Sequence, residues 1–310
     1  MDALDKKILL ELIRNGRISY RNLGARINLS ASSVKKRLDN FEASGFIDRF
    51  VVMLNPDLVN LRLATLMVFT DASVRIDVFR DVVMQVEGVY MILPFIDGNY
   101  YVSCDYVEES DLVALSQLIG SIPGVEGVEV HDVLLESRSH LPEMPEFTEN
   151  ELRVIGQLAV NPRMIDYDIA TNLGWSTKKV KQVLQKLEGD RKIAVGFRWN
   201  PNLGKDTAFT MTIKYDKDIT TANDITSWLD SEYPVSYFNS RVVESQSTIF
   251  GVFTVEKVVD MEPIAMAVLN LPGVQRCFAM TYYNAIVGKT LSQIRLERLL
   301  EQEGLWHHKD

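Results

Sequence analysis

The sequence predicts an α+β fold made of two tandem units, and three observations lead to this prediction. Apolar residues follow a helical period in some segments and alternate in others, so both helices and strands are expected. The pattern repeats after about 145 residues, a spacing that is too long for a solenoid repeat and typical of a duplicated two-domain unit. A chain of 310 residues also exceeds what one core usually supports, which favours two to four small domains.

The first part of the chain is predicted to form two short helices. Residues 4–16 place apolar side chains at helical spacing, and Gly16 ends the run. A second helix is expected over residues 20–27, with Leu23 and Ile27 facing inward. Both helices therefore need a third element to cover their apolar faces.

A third helix, with a basic face, is predicted to follow Ser30. The Ser30 hydroxyl can accept a backbone hydrogen bond in the first turn, as an N-cap does, and Gly45 tolerates the left-handed conformation at the other end. The apolar stripe of this helix consists of Val34, Leu38 and Phe41. Residues 46–54 are mostly apolar and β-branched, and we expect them to form a wing hairpin.

Helix, helix, turn, basic helix and wing together predict a winged helix-turn-helix domain over residues 1–56. In this geometry the third helix presents polar side chains to base edges and flanking cations to phosphates. The residues expected to meet DNA are Tyr20, Arg21, Ser32, Ser33, Lys35, Lys36, Arg37 and Asn40. The alternative interpretation is a solvated amphipathic helix in an unrelated α-rich domain.

The net charge of −9 is distributed unevenly along the chain. Residues 1–50 hold ten Lys or Arg against six Asp or Glu, and residues 148–200 hold nine against six. The rest of the chain is therefore strongly acidic. Two basic islands on an acidic body are expected when only part of a chain meets phosphate, so the distribution favours double-stranded DNA as a partner.

The two basic islands are copies of each other at an offset of 146 positions. The matching pairs include Asn15 and Asn161, Arg17 and Arg163, Val34 and Val180, Leu38 and Leu184, and, after the loss of one residue, Asn55 and Asn200. A second winged helix-turn-helix domain is therefore predicted over residues 148–201. Its residues expected to meet DNA are Lys178, Lys179, Lys181, Gln182 and Lys186.

The second copy differs from the first at the position that should read bases. Gln182 stands where Lys36 stands in the first copy. We hypothesise that the two heads read different half-sites, which makes the preferred DNA an imperfect palindrome. The alternative is that the second head is a degenerate packing domain.

Each basic island is followed by the order strand, helix, strand, strand, helix, strand. Each copy enters its last strand through a Pro-Gly-Val turn, at residues 123–125 and 272–274. This order predicts a ferredoxin-like domain over residues 57–136 and another over residues 202–288. The remaining predicted segments are a linker, residues 137–147, and a C-terminal helix and tail, residues 289–310.

The sequence resembles the leucine-responsive/AsnC (Lrp/AsnC) family of transcription regulators of prokaryotes. The residues that carry the resemblance are Leu4-Asp5, Leu29-Ser30, Gly45-Phe46-Ile47, Asn55-Pro56 and the two Pro-Gly-Val turns. The resemblance implies a winged helix-turn-helix joined to a RAM-type ligand-sensing domain, in a tandem form that looks archaeal. It also implies a DNA-binding protein. The edge strands of the sensing domains and the C-terminal helix predict homodimers of tandem chains.

The effector site of that family resembles a Gly-x-Tyr-Asp segment between the two middle strands. The matching residues here are Gly98, Asn99, Tyr100 and Tyr101, so tyrosine replaces the aspartate. The second copy has Ser245 to Thr248 at this place. Neither copy supplies the carboxylate that would hold an ammonium group, which disfavours a free amino acid as the effector.

Two rival functions remain open. Siroheme decarboxylases resemble this duplicated fold and carry a His-Asn-Tyr-x-Arg run, whereas residues 237–241 here read Tyr-Phe-Asn-Ser-Arg. A DNA-bending architectural protein is the other alternative. The sequence has no HExxH, CxxC, GxSxG or phosphate-loop motif, so no catalytic residue, metal or cofactor is predicted.

Cellular location is predicted from composition. The start of the chain is acidic and polar, unlike a signal peptide, and no apolar run approaches the ~20 residues that a membrane span needs. Cys104 and Cys277 lie in strand-like segments of separate regions and are expected to be buried thiols. These features are typical of a protein of the reducing cytoplasm.

Overall fold

The computed structural model describes residues 2–133, 140–200 and 206–306. The first part of the predicted linker and the histidines His307 and His308 lie outside these ranges. Within them the predicted α+β class and the tandem arrangement are confirmed. Each unit is a three-helix head followed by a βαββαβ domain.

The first unit contains five helices and five strands. In chain order they are α1 (Ala3–Arg14), α2 (Tyr20–Ile27), α3 (Ala31–Ala43), β1 (Ile47–Leu54), β2 (Arg62–Thr70), α4 (Ile76–Val83), β3 (Val89–Pro94), β4 (Tyr100–Tyr106), α5 (Glu109–Gly120) and β5 (Val125–Asp132). The head comprises α1 to β1. The ferredoxin-like domain, which the sequence predicts to be the sensing domain, comprises β2 to β5.

The second unit repeats this order and adds a short strand and a helix. Its elements are α6 (Glu149–Val160), α7 (Asp166–Leu173), α8 (Thr177–Gly189), β6 (Ile193–Trp199), β7 (Thr207–Tyr215), α9 (Ala222–Glu232), β8 (Tyr237–Val243), β9 (Thr248–Val255), α10 (Met261–Leu269), β10 (Val274–Thr281), β11 (Ile286–Val287) and α11 (Leu291–Gln302).

The wing is not a hairpin, so that expectation was wrong. Strand β1 of the first head pairs antiparallel with β6 of the second head, and Val51 lies opposite Gly196. Residues 46–54 lack a tight turn that would let the chain fold back on itself, and the hydrogen-bonding partner instead comes from the duplicated unit. The two wings therefore form one ribbon that joins the heads.

Each sensing domain has an antiparallel four-stranded sheet with ferredoxin-like order. The first sheet runs β3-β4-β2-β5 and receives β11 beside β3, while the second runs β10-β7-β9-β8. In each domain the two helices and one face of the sheet enclose a core. Because β11 comes from the second unit, the two sensing domains share a strand pairing as well as a packed interface.

The other faces of the two sheets pack against each other. The buried residues of this inter-sheet layer are Met67, Leu93, Phe95, Tyr101, Ala208, Val243, Phe250 and Tyr282. The layer contains residues from both units, so the two sheets share one packed interface. It also contains both cavities described below.

The C-terminal helix α11 docks on the body of its own chain. Leu291, Leu296 and Leu300 are buried in one cluster with residues of β1 and of the second head. The Leu291 N–H donates to Asp105 Oδ2 at 3.0 Å, which ties the start of α11 to the first sheet. No helix in the described ranges is long and apolar enough to cross a membrane.

Candidate nucleic-acid interface and inter-sheet cavity

The recognition helix of the first head is α3, and its outer face is open. Ser30 caps it, because its hydroxyl accepts from Ser33 N–H at 3.0 Å. The predicted apolar stripe is buried, with Val34 0% and Leu38 1% exposed. On the opposite side of α3, the exposed side chains include Ser32, Lys35, Lys36 and Asn40.

The cations of α3 differ in how they are held. Arg37 is half-buried and donates to Asp5 Oδ1 at 2.5 Å and to Asp2 Oδ2 at 2.7 Å, so it anchors α3 to α1. Lys35 donates to Asp39 at 2.7 Å in an exposed pair one turn along the helix. Within the described ranges, Lys36 is the cation of α3 that has no ion pair. The structure thus distinguishes three cations that the sequence predicted to act together: Arg37 anchors α3 to α1, Lys35 pairs within α3, and Lys36 is exposed.

The remaining candidates in the first head lie at the start of α2. Arg21 is exposed, whereas Tyr20 is half-buried. The Arg163 guanidinium of the second head lies 5.1 Å from the centre of the Tyr20 ring. Tyr20 is therefore part of the contact between the heads as well as a predicted DNA-contacting residue.

The predicted recognition helix of the second head, α8, also has an exposed face. Lys178, Lys181 and Gln182 are exposed. Lys179 lies 3.6 Å from the centre of the Trp175 ring, a cation–π contact. Lys186 is 3.4 Å from the buried Glu151 carboxylate, which also binds Lys192.

The two heads differ in charge at the second helix. The first turn of α7 contains Asp166 and Asp168, whereas the matching positions of α2 are Tyr20 and Asn22. Carboxylates beside a DNA phosphate would be repelled. The first head therefore has the more favourable surface for DNA, and sequence comparison at the 146-residue offset could have detected this.

Two arginines clasp the heads to each other. Arg17 donates to the Pro162 carbonyl at 2.8 Å and to the Met164 carbonyl at 3.3 Å. In the reverse direction, Arg163 donates to the carbonyls of Gly16 and Ile18. Burial lowers the pKa of both guanidinium groups, and Asp166 partly offsets this for Arg17. The clasp and the shared ribbon hold the recognition helices in a defined arrangement.

The hairpin predicted as an effector site uses its polar groups locally. The Asn99 side-chain oxygen accepts from Thr70 N–H at 2.9 Å, and Gly98 has a φ of 90° beside Ala72. Tyr100 stacks on Phe79 with 4.1 Å between ring centres. Tyr101 is buried between the sheets. The effector role of these four residues stays a prediction.

A cavity of about 310 Å³ lies between the sheets, beside the wing of the second head. It is lined by Met91, Leu93, Tyr101, Trp199, Thr210, Asn239, Ser240, Arg241, Phe250, Val252, Tyr282 and Ala285. Asn239, Ser240 and Arg241 line this cavity. They belong to residues 237–241, the segment that corresponds to the His-Asn-Tyr-x-Arg run of siroheme decarboxylases. The potential ligand groups of the cavity are one guanidinium, one amide and several hydroxyls.

Arg241 is the charged residue of this cavity. Its Nη1 donates to Ser103 Oγ at 2.9 Å, and its guanidinium carbon lies 5.5 Å from the centre of the Tyr90 ring. Burial opposes the charge, but Tyr90, Tyr101 and Asp105 together raise the pKa of Arg241 above its ordinary value. The group therefore stays cationic. Sequence reasoning named Arg241 only within a motif, because burial beneath a second sheet leaves no local signal.

A second, larger cavity opens between the sheets at the opposite edges, near β5 and β10. It measures about 740 Å³ and includes His131, Lys214 and the exposed Arg276 in its lining. The His131 imidazole forms a hydrogen bond to the Gln246 side chain across the sheets. Burial lowers the pKa of His131. No group of three potential metal ligands occurs in the described part of the chain.

Comparison with known proteins locates this chain among transcription regulators. Residues 1–48 match a family model described as winged helix-turn-helix DNA-binding. The leucine-responsive regulatory protein of Salmonella typhimurium is 30% identical over 145 residues, which cover 44% of this chain and 86% of that protein. An uncharacterized HTH-type transcriptional regulator of Pyrococcus abyssi is 27% identical over 136 residues, which cover 43% of this chain and 92% of that protein.

A solved structure is similar over both units. The siroheme decarboxylase NirDL aligns with 97% of this chain and 98% of its own, with a TM-score of 0.53 and 12% sequence identity. At this identity the likeness establishes a shared fold and no more. The match to the regulators is in sequence and spans most of their length, so the chain belongs to the Lrp/AsnC family of winged helix-turn-helix transcription regulators.

Proposed function

We propose that this protein is a sequence-specific DNA-binding transcription regulator with two non-identical heads on a pseudo-dimeric sensing core. The observation that carries the proposal is the outer face of α3, where Lys36 is exposed and unpaired within the described ranges and the opposite stripe is fully buried. A helix anchored in this way can enter a major groove without losing its core.

Charge supports the same function. The basic heads would supply affinity through release of phosphate counterions, and the acidic remainder would keep DNA away from the sensing domains. Both recognition helices are exposed, and the ribbon and the arginine clasp fix their separation. Such a frame suits two half-sites at a set spacing.

The two heads contribute unequally in this proposal. The first head would read bases through Ser32, Ser33 and Lys36. The second would bind through Lys178, Lys181 and Gln182, against the unfavourable carboxylates of Asp166 and Asp168. We also expect homodimers of tandem chains, a cytoplasmic location and an archaeal source. These stay predictions from the sequence and the family resemblance.

A titration of fluorescein-labelled DNA tests the proposal. If about six phosphates are contacted, the affinity for a random-sequence 40-bp duplex should fall with salt, with a log–log slope of roughly −5. A double K36E/K181E variant should lose binding, whereas K217E, an exposed lysine of the second sensing domain, should retain it. Absence of binding at 50 mM salt, or equal binding by all three proteins, would contradict the proposal.

A siroheme decarboxylase-like enzyme is the second candidate. Two observations favour it, the full-length fold likeness to NirDL and the presence of Arg241 in the inter-sheet cavity. Against it, no histidine is present among the described residues that line this cavity. Anaerobic incubation with sirohaem, followed by mass spectrometry, separates the two functions. Loss of carbon dioxide from the macrocycle would support the enzyme, and recovery of intact sirohaem is the outcome that we expect.

A further inference from the structure

We propose that the inter-sheet cavity around Arg241 binds a small molecule with a single carboxylate on an aromatic or branched aliphatic body. This site differs from the hairpin at Gly98 to Tyr101. It deepens the proposed function by naming the chemical class of an effector.

The guanidinium of Arg241 has hydrogen-bond donors that a ligand could use. A guanidinium has five N–H donors in a planar fork that suits a carboxylate. Arg241 is half-buried; Ser103 Oγ accepts one of its hydrogen bonds and the Tyr90 hydroxyl lies close enough to accept another, and it forms no ion pair within the described ranges. Asp105 acts on it only at longer range and already accepts from Leu291 N–H. Ser103 and Tyr90 can engage at most part of the five donors, so the guanidinium can also donate to a ligand carboxylate.

A buried hydroxyl, that of Thr210, lies in the same cavity wall. Thr210 is 3% exposed, and its Oγ1 has no hydrogen-bond partner. A buried hydroxyl without a partner is destabilising, and a ligand that bonds to it would remove that cost. Thr210 lies on β7 and Arg241 on β8, so both belong to the second sheet. Strand β9 lies between these two strands, so a ligand that fills the cavity could contact Thr210 while its carboxylate accepts from Arg241.

Apolar side chains form much of the wall of the Arg241 cavity. The side chains of Met91, Leu93, Phe250, Val252 and Tyr282 make up half of the rest of the lining. A volume of about 310 Å³ lies at the lower end of the range for small-molecule sites. Because Arg241 is the one charged residue among the described lining residues, a single carboxylate is matched. An α-ammonium group would find no counter-charge there, so amino acids are disfavoured.

The cavity is also bordered by Trp199, a residue of the second wing that packs against the first head. Trp199, at the end of the wing strand β6, lies 5.5 Å from Phe46 and 5.3 Å from Phe238, measured between ring centres. These rings belong to the core of the first head. A ligand that displaces Trp199 would therefore alter the packing that holds α3. This step rests on the proposed DNA-binding function, whereas ligand binding itself does not.

Saturation-transfer NMR on the full-length chain tests the site. The probes are benzoate, phenylacetate, indole-3-acetate and 4-methylpentanoate, each compared with its neutral amide. We expect at least one acid to bind at least tenfold more tightly than its amide. Failure of all four acids to bind, or equal binding of acid and amide, would overturn the proposal.

Three variants locate the binding. R241Q should weaken the acid at least tenfold, and A285F should block it by filling the cavity without removing the cation. R276Q, a matched arginine change at the second cavity, should leave binding unchanged. Unaltered binding by both R241Q and A285F would overturn the assignment, and thermal melts would verify that each variant is folded. Because no DNA is present, this result is independent of the proposed regulatory function.

Discussion

Arg17 and Arg163 occupy equivalent positions in the two heads, and each donates hydrogen bonds to main-chain carbonyls of the other head. The arrangement is reciprocal although the two residues are 146 positions apart. Both side chains are half-buried, so solvent competes little for the same carbonyls. The clasp therefore holds the two heads together and sets the geometry between α3 and α8, the two proposed recognition helices.

Removal of the clasp should weaken binding to two half-sites more than binding to one. The R17A/R163A variant should lose roughly tenfold in affinity for a two-half-site duplex, because looser heads have a lower effective concentration at the second site. Affinity for a single half-site should stay the same. Fluorescence anisotropy with both duplexes measures this, with R153A, an exposed arginine of α6, as the control. Equal losses on both duplexes would contradict the role of the clasp.

Lys36 and Lys35 should have separable effects on DNA binding. K36A should cost about 1–3 kcal/mol on the preferred site and less on random DNA, because Lys36 faces base edges. K35A should weaken both about equally and reduce the salt slope by ~1, because leaving its exposed pair with Asp39 costs little. Competition titrations at several salt concentrations measure both quantities, and K217A is the control. The reverse pattern would mean that the face of α3 is assigned wrongly.

Asp105 should make the stability of the fold decrease as the pH rises. Burial raises the pKa of its carboxyl from 3.8 to about 7, against the Leu291 N–H and Arg241, which lower it. Between these values the folded protein retains a proton that the unfolded chain releases, so raising the pH from about 4 to about 7 removes stability. Above pH 7 both states are ionised and the loss is complete.

The D105N variant tests this dependence. Because asparagine can still accept from Leu291 N–H, the variant should gain stability relative to the wild type as the pH rises, by on the order of 1–4 kcal/mol. Urea unfolding at pH 4.5, 6 and 8 measures the difference. D218N, at an exposed turn, should keep the wild-type pH slope. A parallel pH dependence in D105N and the wild type would refute the assignment.

The buried ion pair between Lys6 and Asp206 should be costly to break on one side. The two groups lie 3.0 Å apart, with side-chain exposures of 6% and 3%, and join α1 to the start of the second sensing domain. K6M should lower the free energy of unfolding by about 3–5 kcal/mol, because it removes the Lys6 cation from beside a buried carboxylate. K6M/D206L should lose less than the sum of the single changes. Strict additivity in urea unfolding would argue against coupling.

The sequence predicts local structure better than it predicts partners. Residues 20–27 form α2 as expected, and the predicted shared face of β7, with Phe209 and Met211, lies in one core, because both patterns depend on neighbours in the chain. The wing was assigned wrongly because the partner of β1 lies about 145 residues away, and no local pattern distinguishes a hairpin from this pairing.

The same limit applies to the candidate sites. Exposure of Lys36 follows from helical periodicity, so it could be predicted. The pairing of Arg37 with Asp2 and Asp5 depends on the packing of α1 against α3, which periodicity does not specify. Arg241 reaches its cavity only when two sheets pack together, so its environment could not be predicted from the residues around it.

In-vitro selection from a random DNA library, with the full-length chain as bait, tests the central claim most directly. The account predicts enrichment of two half-sites of different sequence, with centres about one DNA turn, ~34 Å, or a multiple of it apart. K36A should lose one of the two half-sites and retain the other. A perfectly symmetric site, or a pool that stays random, would contradict the account.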